Sequence, residues 1–325
     1  MASEETYWIP WIGEGKRELG YSGKKWFFEN TDQKWLLGKN MQDAEGSDVK
    51  SLFESVSAQL EVMGKALWVT SELVRVKGGT FQMGNTRNDP EGVACESPVH
   101  QVRLAYDFWV GRYPVVLGEY DTYCMEKNIE PLEYNGPGRG FRPATVVSWF
   151  DAIQFCNWLS EREGIPKAYG SKRNLRYKSG KGTQDITEVR GYRLLTEAEW
   201  EYAARGGHRA TRDWKYAGSD ELGEVGWYDE NSNKKLHPVG KKKANELGLY
   251  GMSGNVWEWC HDWWRWDGYP REEQTNPLGP AAGSFRVTRG GSWKSYYRGC
   301  RISARNGIPP ENGFGYLGFR VARTC

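Results

Sequence analysis

Cysteine and histidine side chains carry the chemistry that this sequence could offer, because both bind transition metals and a thiolate is also a nucleophile. The cysteines show no close pairing of the zinc or disulfide-scaffold kind, and no two histidines stand at i,i+4 on a helix face. The sequence therefore favours neither a metal cluster nor a disulfide framework. The residues concerned are Cys95, Cys124, Cys156, Cys260, Cys300, Cys325, His100, His208, His237 and His261.

Two further groups invite a catalytic interpretation. His261 stands between a cysteine and an aspartate, and we interpret it as a loop histidine beside an aromatic cluster. Glu197, Glu199 and Glu201 follow a Thr196 cap, so we interpret them as partners of the helix dipole and as helix surface. No base–nucleophile pair is discernible.

Composition limits the class of protein. The 325 residues include 17 Trp, 18 Tyr and 40 Gly with few long apolar runs, which indicates short strands and turn-rich loops. A net charge of +2, with Lys241–Lys243 as the main basic run, argues against nucleic-acid binding. No stretch approaches the roughly 18 apolar residues of a membrane span, and no signal peptide is visible. We expect a monomer, and a lipid anchor beyond this chain is left open.

The elements that would position functional residues fall into two parts. Residues 1–70 contain aromatic patches typical of small hairpins and a helical pattern over Ser47–Leu67, and we expect this extension to pack on the main domain, 71–325. In that domain, Gly78–Gly79 indicates a hairpin and 102–110 a single strand. Helices are predicted over 149–163, from Thr196 to Gly206, and around 117–124; Ser148 with Asp151 and Thr196 with Glu199 form their capping boxes.

Six short blocks occur in order along this main domain. They are Gly78–Gly84 (GGTFQMG), Ser148–Ala152 (SWFDA), Tyr192–Ala203 (YRLLTEAEWEYA), Gly248–Trp259 (GLYGMSGNVWEW), Arg289–Trp293 (RGGSW) and Gly318–Arg320 (GFR). Together they resemble the formylglycine-generating-enzyme, or sulfatase-modifying-factor, type of C-type-lectin-like domain. The resemblance implies an irregular, loop-rich α+β fold with two main helices and a small antiparallel sheet near the C-terminus.

That resemblance implies cysteine oxidation, iron-dependent sulfoxide synthesis or ligand binding, and the fold alone does not choose among them. The oxidases hold copper with two thiolates soon after the Gly–Gly–Ser–aromatic turn. Here that stretch holds one cysteine, Cys300, which we interpret as a buried structural thiol; whether Cys260 approaches it stays open. The iron enzymes need three clustered histidines, for which the sequence offers no pattern.

Relatives of this type often bind calcium, and their ligands map onto Gly254, Val256 and Glu258. Oxygen-only coordination fits that ion. Gly251 stands where relatives usually carry Asp or Asn, so one side-chain ligand is missing. We expect no catalytic cofactor and leave a structural calcium ion as an open alternative.

The closing segment, 289–321, resembles a narrower group, the variable proteins of diversity-generating retroelements, and the N-terminal extension is similar to that of the treponemal members. In that group, adenine randomisation of Asn-type codons reaches Ser, Tyr, Gly, Ile, Phe and Asn. Lys294 and Glu311 are outside that set and are expected to be fixed; Tyr297 is expected to be an anchor. The predicted ligand-binding residues are Ser295, Tyr296, Tyr297, Gly299, Ile302, Ser303, Asn306, Gly307, Ile308, Asn312, Phe314, Gly315 and Tyr316. The predicted scaffold residues are Gly290, Gly291, Trp293, Cys300, Arg301, Arg305 and Phe319.

Tyr, Ser, Gly and Asn are typical of recognition surfaces in which aromatic rings supply contact area and small polar residues adapt. The sequence thus predicts a non-catalytic receptor, displayed at the cell surface or outside the cell, that binds an unknown and protein-like ligand. A formylglycine-type oxidase or accessory factor is the alternative. A carbohydrate-binding lectin would need an exposed calcium ion. Burial of Tyr296, Phe314 and Tyr316 would exclude the receptor interpretation.

Overall fold

A computed structural model describes residues 73–134, 139–171, 175 and 182–325, together with four strands nearer the N-terminus. Those strands form an antiparallel meander of their own, in the order β1-β2-β3-β4, as the aromatic hairpin patches predicted. The predicted helix over Ser47–Leu67 lies outside the described residues, and the packing of residues 1–70 on the main domain stays a prediction. The strands are β1 Thr6–Ile12, β2 Lys16–Ser22, β3 Lys25–Asn30 and β4 Gln33–Leu36.

Two capping boxes set the starts of the main helices, as predicted. Ser148 Oγ accepts a hydrogen bond from the Asp151 backbone N–H, and Asp151 accepts one from the Ser148 N–H in return. Thr196 and Glu199 make the same reciprocal pair. The helices of the described residues are α1 Leu117–Lys127, α2 Trp149–Arg162, α3 Glu197–Ala204 and the single turn α4 Leu222–Val225.

Three sheets accompany these helices. Their orders are β13-β12-β10-β14, β11-β7-β6 and β5-β8-β15-β9. In the first sheet, to which the closing segment contributes β13 and β14, β14 runs parallel to β10 while the other pairs are antiparallel. The strands are β5 Leu73–Val76, β6 Gly79–Met83, β7 His100–Leu104, β8 Phe108–Gly111, β9 Arg193–Leu194, β10 Trp257–Trp263, β11 Gln274–Thr275, β12 Arg286–Arg289, β13 Arg305–Ile308, β14 Leu317–Phe319 and β15 Val321–Thr324.

Two strand predictions were wrong. β5 and β6 do not form a hairpin, because β5 pairs with β8 and β6 pairs with β7. Gly78 is needed for close packing instead: a Cβ atom there would lie 2.5 Å from the Leu104 carbonyl oxygen. The single strand expected over 102–110 is two strands, β7 and β8, which belong to different sheets.

The core divides into two main clusters that meet at β10. One surrounds α1 and α2 and contains Trp149, Trp259 and Phe319; the other surrounds α3 and contains Trp200 and Cys260. Indole hydrogen bonds fix the junction, since Trp149 Nε1 donates to the Cys260 carbonyl and Trp259 Nε1 donates to the Val147 carbonyl, each at 2.9 Å. None of the described helices is long and apolar enough to cross a membrane.

Candidate binding face

The closing segment leaves the sheet at a double-glycine turn directly after β12. Gly290 and Gly291 adopt φ values of 96° and 74°, a region that side-chain-bearing residues rarely occupy. A Cβ atom on Gly291 would also lie 2.6 Å from the Cys300 Sγ atom. Glycine is therefore required here both for the backbone conformation and for the close approach of the following loop.

Buried arginines fix the rest of the segment to the core. Arg301 makes two 2.7 Å hydrogen bonds to the carboxylate of Glu96. Arg305 makes an equivalent pair, of 2.7 and 2.6 Å, to Glu197. Such fork-to-fork contacts are charge-assisted and fix orientation as well as position. Each arginine therefore fixes one stretch of the closing segment to an element far away in sequence.

Two more arginines bracket the segment. Arg289, at the end of β12, pairs with Glu201 and donates to the carbonyl oxygen of Ile302 at 3.0 Å. Arg320, just after β14, pairs with Glu258 at 2.7 Å. All four of these guanidinium groups are buried. We call these four ion pairs the arginine frame.

The sequence interpretation of the α3 glutamates as helix surface was wrong. Glu197, Glu199 and Glu201 are buried, and each carboxylate pairs with an arginine from another element; Glu199 pairs with Arg193 at 2.6 and 2.7 Å. The helix is enclosed on all sides, so no exposed face exists for them. The spacing in the sequence indicated this. Glu199 lies two residues from both Glu197 and Glu201, and residues two apart do not share one face of a helix, so the three glutamates cannot all be on one exposed face.

The other predicted scaffold residues lie at the base of the segment. Cys300 and Phe319 are fully buried, and burial raises the pKa of the Cys300 thiol to about 12. Trp293 is half-buried, and its Nε1 atom donates to the Gly315 carbonyl oxygen at 3.1 Å. Trp293 thereby joins the two ends of the loop region.

Ten of the thirteen predicted ligand-binding positions reach the surface. Tyr296 is 63% exposed, and Tyr297, Asn306 and Gly315 are also exposed. The others are half-buried. These half-buried positions are Ser295, Gly299, Gly307, Asn312, Phe314 and Tyr316.

The remaining three positions require a correction, because Ile302, Ser303 and Ile308 are buried. Ile302 packs in the α3 cluster and Ile308 in the α2 cluster, while Ser303 Oγ donates to Glu96 at 2.7 Å. A buried side chain offers no contact area to a ligand. The apolar side chains of Ile302 and Ile308 were the available signal, since no isoleucine is among the ten positions that reach the surface, whereas serine occurs in both groups.

Aromatic rings form the centre of the exposed surface. Phe314 and Tyr316 stack with ring centroids 5.1 Å apart and planes 5° from parallel. The Lys294 Nζ atom stands 3.6 Å from the centroid of Tyr316. Together with Tyr296 and Tyr297, these residues define the surface that we call the aromatic face.

Tyr297 differs from its neighbours in being tethered. A hydrogen bond with the Glu91 carboxylate raises the pKa of Tyr297, and the Lys215 ammonium stands 5.8 Å from the ring centroid. Lys215 in turn pairs with Glu91 at 3.0 Å. This arrangement fits the expectation that Tyr297 anchors the segment.

Sequence reasoning missed one member of this surface. Val146, in the segment before α2, is 48% exposed and has a φ of 64°, which is rare for a β-branched residue. Its backbone N–H donates to the Phe314 carbonyl oxygen at 3.0 Å. Only a structure places Val146 beside the closing segment, because no sequence pattern marks the contact.

Comparison with known proteins identifies the family to which this chain belongs. A model of the sulfatase-modifying factor enzyme 1-like domain matches residues 60–325. The chain belongs to this family. The expected C-type-lectin-like α+β fold, loop-rich with small sheets and few helices, is thereby confirmed.

Several members of the sulfatase-modifying-factor family are close in sequence or structure. Chaperone protein LppX of Paenibacillus barcinonensis is 31% identical, with 79% of this chain and 90% of that protein covered. The formylglycine-generating enzyme of Streptomyces coelicolor is 31% identical, with 78% and 89% covered. The solved structure of Treponema denticola variable protein 1 matches with a TM-score of 0.65 and 31% identity, over 78% and 95% of the two chains. The expected resemblance to treponemal variable proteins is confirmed.

These relatives include an enzyme, a chaperone and a variable protein, so membership in the sulfatase-modifying-factor family does not assign catalysis. The thiols of this member are arranged for packing. Cys260 lies in the α3 cluster, whereas Cys300 packs with Tyr216, Leu222 and Val225. Burial raises the pKa of both thiols, which disfavours the thiolate form that binds copper.

His261 lies in β10 and not in a loop, which corrects the sequence interpretation. It does adjoin aromatic rings, with centroids 5.8 Å from Tyr169 and 6.3 Å from Trp149. Burial, and then the nearby charge of Arg286, lower the pKa of His261 well below its usual range. Across the described residues, no three His, Cys, Asp or Glu side chains are grouped so as to hold a metal ion.

The calcium site suggested by Gly254, Val256 and Glu258 does not fit this arrangement. Both carboxylate oxygens of Glu258 face the Arg320 guanidinium, at 2.7 and 3.1 Å, and one of them also accepts from Trp200 Nε1. A divalent cation coordinated by the same oxygens would stand close to a buried positive charge. Glu258 serves the arginine frame instead.

Proposed function

We propose that this protein is a non-catalytic, receptor- or adhesin-like binding protein whose aromatic face binds a ligand. The observation that carries the proposal is the exposure of Tyr296 together with the half-buried Phe314–Tyr316 stack in the same closing segment. Large rings that are already held in place give contact area at a small entropic cost, and such residues dominate binding energies. The ligand is a protein in this proposal.

The separation of the buried arginine frame from the exposed aromatic face favours a binding surface on which the residue types can vary. Exposed positions such as Asn306 and Gly315 contribute little to the core, whereas the buried arginines of the frame hold the segment to the core. We propose that the exposed positions are diversified in the manner of the retroelement variable proteins. The 31% identity to Treponema denticola variable protein 1 supports this.

We further propose that the protein is displayed at the cell surface or outside the cell. The similarity to the treponemal variable protein motivates this proposal. Protease treatment of intact cells of the source organism tests it. Surface display predicts digestion of the protein without lysis, and protection until lysis would contradict it.

Binding is tested with an array of random peptides as the probe. The variant Tyr296→Ala/Phe314→Ala/Tyr316→Ala should lose the peptides that the unaltered protein binds. Trp266→Ala is a matched control, because Trp266 is an exposed aromatic residue, at 73%, outside the face. Equal binding by the triple variant, or equal loss in the control, would contradict the proposal.

The alternative, a formylglycine-type oxidase, is favoured by the 31% identity to the Streptomyces coelicolor enzyme. It predicts that the protein, supplied with copper, oxygen and a thiol reductant that provides the remaining two electrons, converts a cysteine peptide to an aldehyde with release of sulfide and water. We expect no aldehyde from the unaltered protein by mass spectrometry. Aldehyde formation that Cys300→Ala abolishes would overturn the binding proposal.

A further inference from the structure

Two cations on the aromatic face rest on rings and not on carboxylates. Lys294 Nζ stands 3.6 Å from the Tyr316 centroid, and the Arg298 guanidinium stands 5.8 Å from the Tyr296 centroid. Both side chains are exposed. Within the part of the chain that the structure describes, neither has a carboxylate within 4 Å, in contrast with Lys215, which pairs with Glu91.

A cation held on a ring is positioned but still has free donors. An ammonium group has three N–H bonds, and the face of a ring engages only one side of it. A carboxylate brought in by a ligand would complete charge-assisted hydrogen bonds at a surface that the ligand itself shields from water. Lys294 is therefore poised to accept an acidic group beside the Phe314–Tyr316 stack.

The apolar part of the surface continues from this stack onto Val146. Its backbone N–H contacts the Phe314 carbonyl, and a Cβ atom on Gly313 would lie 2.6 Å from the Val146 carbonyl oxygen. A valine at a φ of 64° costs free energy that a glycine would not. Because Val146 is 48% exposed, burial offsets only part of that cost, and the exposed part of the side chain is available to a ligand.

We infer that the ligand is an acidic protein segment, which places a carboxylate on Lys294 and an apolar side chain against Val146, Phe314 and Tyr316. This inference rests on the proposed binding function. An anionic polysaccharide or nucleic acid fits less well, because each of the two cations rests on an aromatic ring and the whole chain carries a net charge of only +2. Long polyanions bind to continuous basic surfaces.

Peptides that bind the full-length protein on a random array provide the probe, each synthesised with its Glu and Asp residues and again with Gln and Asn. The inference predicts at least tenfold weaker binding of the amide versions. Lys294→Met, which keeps an apolar stem, should remove that difference, and Lys294→Arg should retain it. Heparin is the competing polyanion.

Val146→Gly gives a second test, in which thermal stability and peptide binding are expected to change in opposite directions. Removal of the strained side chain should raise the melting temperature and weaken binding of the same peptides several-fold. A loss of binding through misfolding would instead lower the melting temperature.

Equal binding of acidic and amide peptides, with the aromatic triple variant still inactive, would overturn this inference and leave the proposed function standing. Preferential binding of heparin that Lys294→Met abolishes would also overturn it. If no array peptide binds, both the inference and the proposed function fail.

Discussion

The arginines of the frame and the residues of the aromatic face lie in the same closing segment. They differ in burial, because the frame side chains are buried whereas the face side chains reach the surface. Frame side chains such as Arg301 and Arg305 are buried and pair with distant glutamates. Face side chains such as Tyr296 project from the surface and make few contacts within the chain. The difference indicates that the buried residues of this segment determine its shape. The others are therefore available for recognition.

Buried ion pairs suit a frame for a physical reason. A buried charge is expensive unless its partner is correctly placed, so a misplaced loop would leave uncompensated charge in the core. The arrangement therefore specifies one loop geometry, even where a hydrophobic replacement of the whole pair would be as stable. The difference between the arginine frame and the aromatic face can be tested with variants of residues in each of them.

The largest effect is expected at Arg289, whose removal leaves the buried Glu201 carboxylate with one of its two arginine partners, Arg205, and also takes a guanidinium away from Glu197. Arg289→Met should lower the free energy of unfolding by about 3–5 kcal/mol. Arg298→Met is the matched control, because Arg298 is exposed and should change stability by less than about 0.5 kcal/mol. Urea denaturation measures both, and similar losses in the two variants would remove the distinction between frame and face.

A smaller effect, dependent on pH, is expected at Asp262 beside the frame. Burial, and then the charge of Glu197, raise the pKa of Asp262 to about 8. Between the usual aspartate pKa and 8 the folded state binds the extra proton, so stability falls as pH rises, by up to about 1.4 kcal/mol per unit.

Asp262→Asn should flatten the dependence of unfolding free energy on pH between 5 and 8. Asp267→Asn should leave it unchanged, because Arg265 lowers the pKa of the exposed Asp267, which therefore titrates below this range. An unaltered slope in Asp262→Asn would show that Asp262 is already ionised in the fold.

The smallest of the three effects is a difference in stability between alanine variants of two glycines in the closing segment. Gly291→Ala should cost more than about 1 kcal/mol, because its φ is positive and the added methyl group meets Cys300. Gly315→Ala should be within about 0.5 kcal/mol of neutral, since nothing lies within 4 Å of its Cβ position. Thermal unfolding of the two variants distinguishes these values, and equal losses would contradict the assignment of Gly315 to the face.

Local patterns predicted the local structure well. The capping boxes at Ser148 and Thr196 placed the starts of α2 and α3, because such caps depend only on residues three apart. The Gly78–Gly79 pair led to the wrong prediction of a hairpin, because glycine is required both for a close approach between strands and for a tight turn.

Burial could not be predicted for residues whose environment comes from distant parts of the chain. Glu201 resembles a surface glutamate until Arg289 reaches it from 88 residues away. Ile302 and Ile308 resemble loop residues until the two core clusters close over them. Val146 carries no local signal, because the Phe314 carbonyl oxygen that its backbone N–H contacts lies far away in sequence.

The most direct test of the fixed frame and variable face compares two displayed libraries of the full chain. One randomises Tyr296, Asn306, Phe314 and Tyr316, and the other randomises the frame residues Arg289, Arg301, Arg305 and Arg320. The fraction of members that resist protease measures folding. We predict that folded members are at least tenfold more frequent in the first library. Equal fractions in the two libraries would contradict the account.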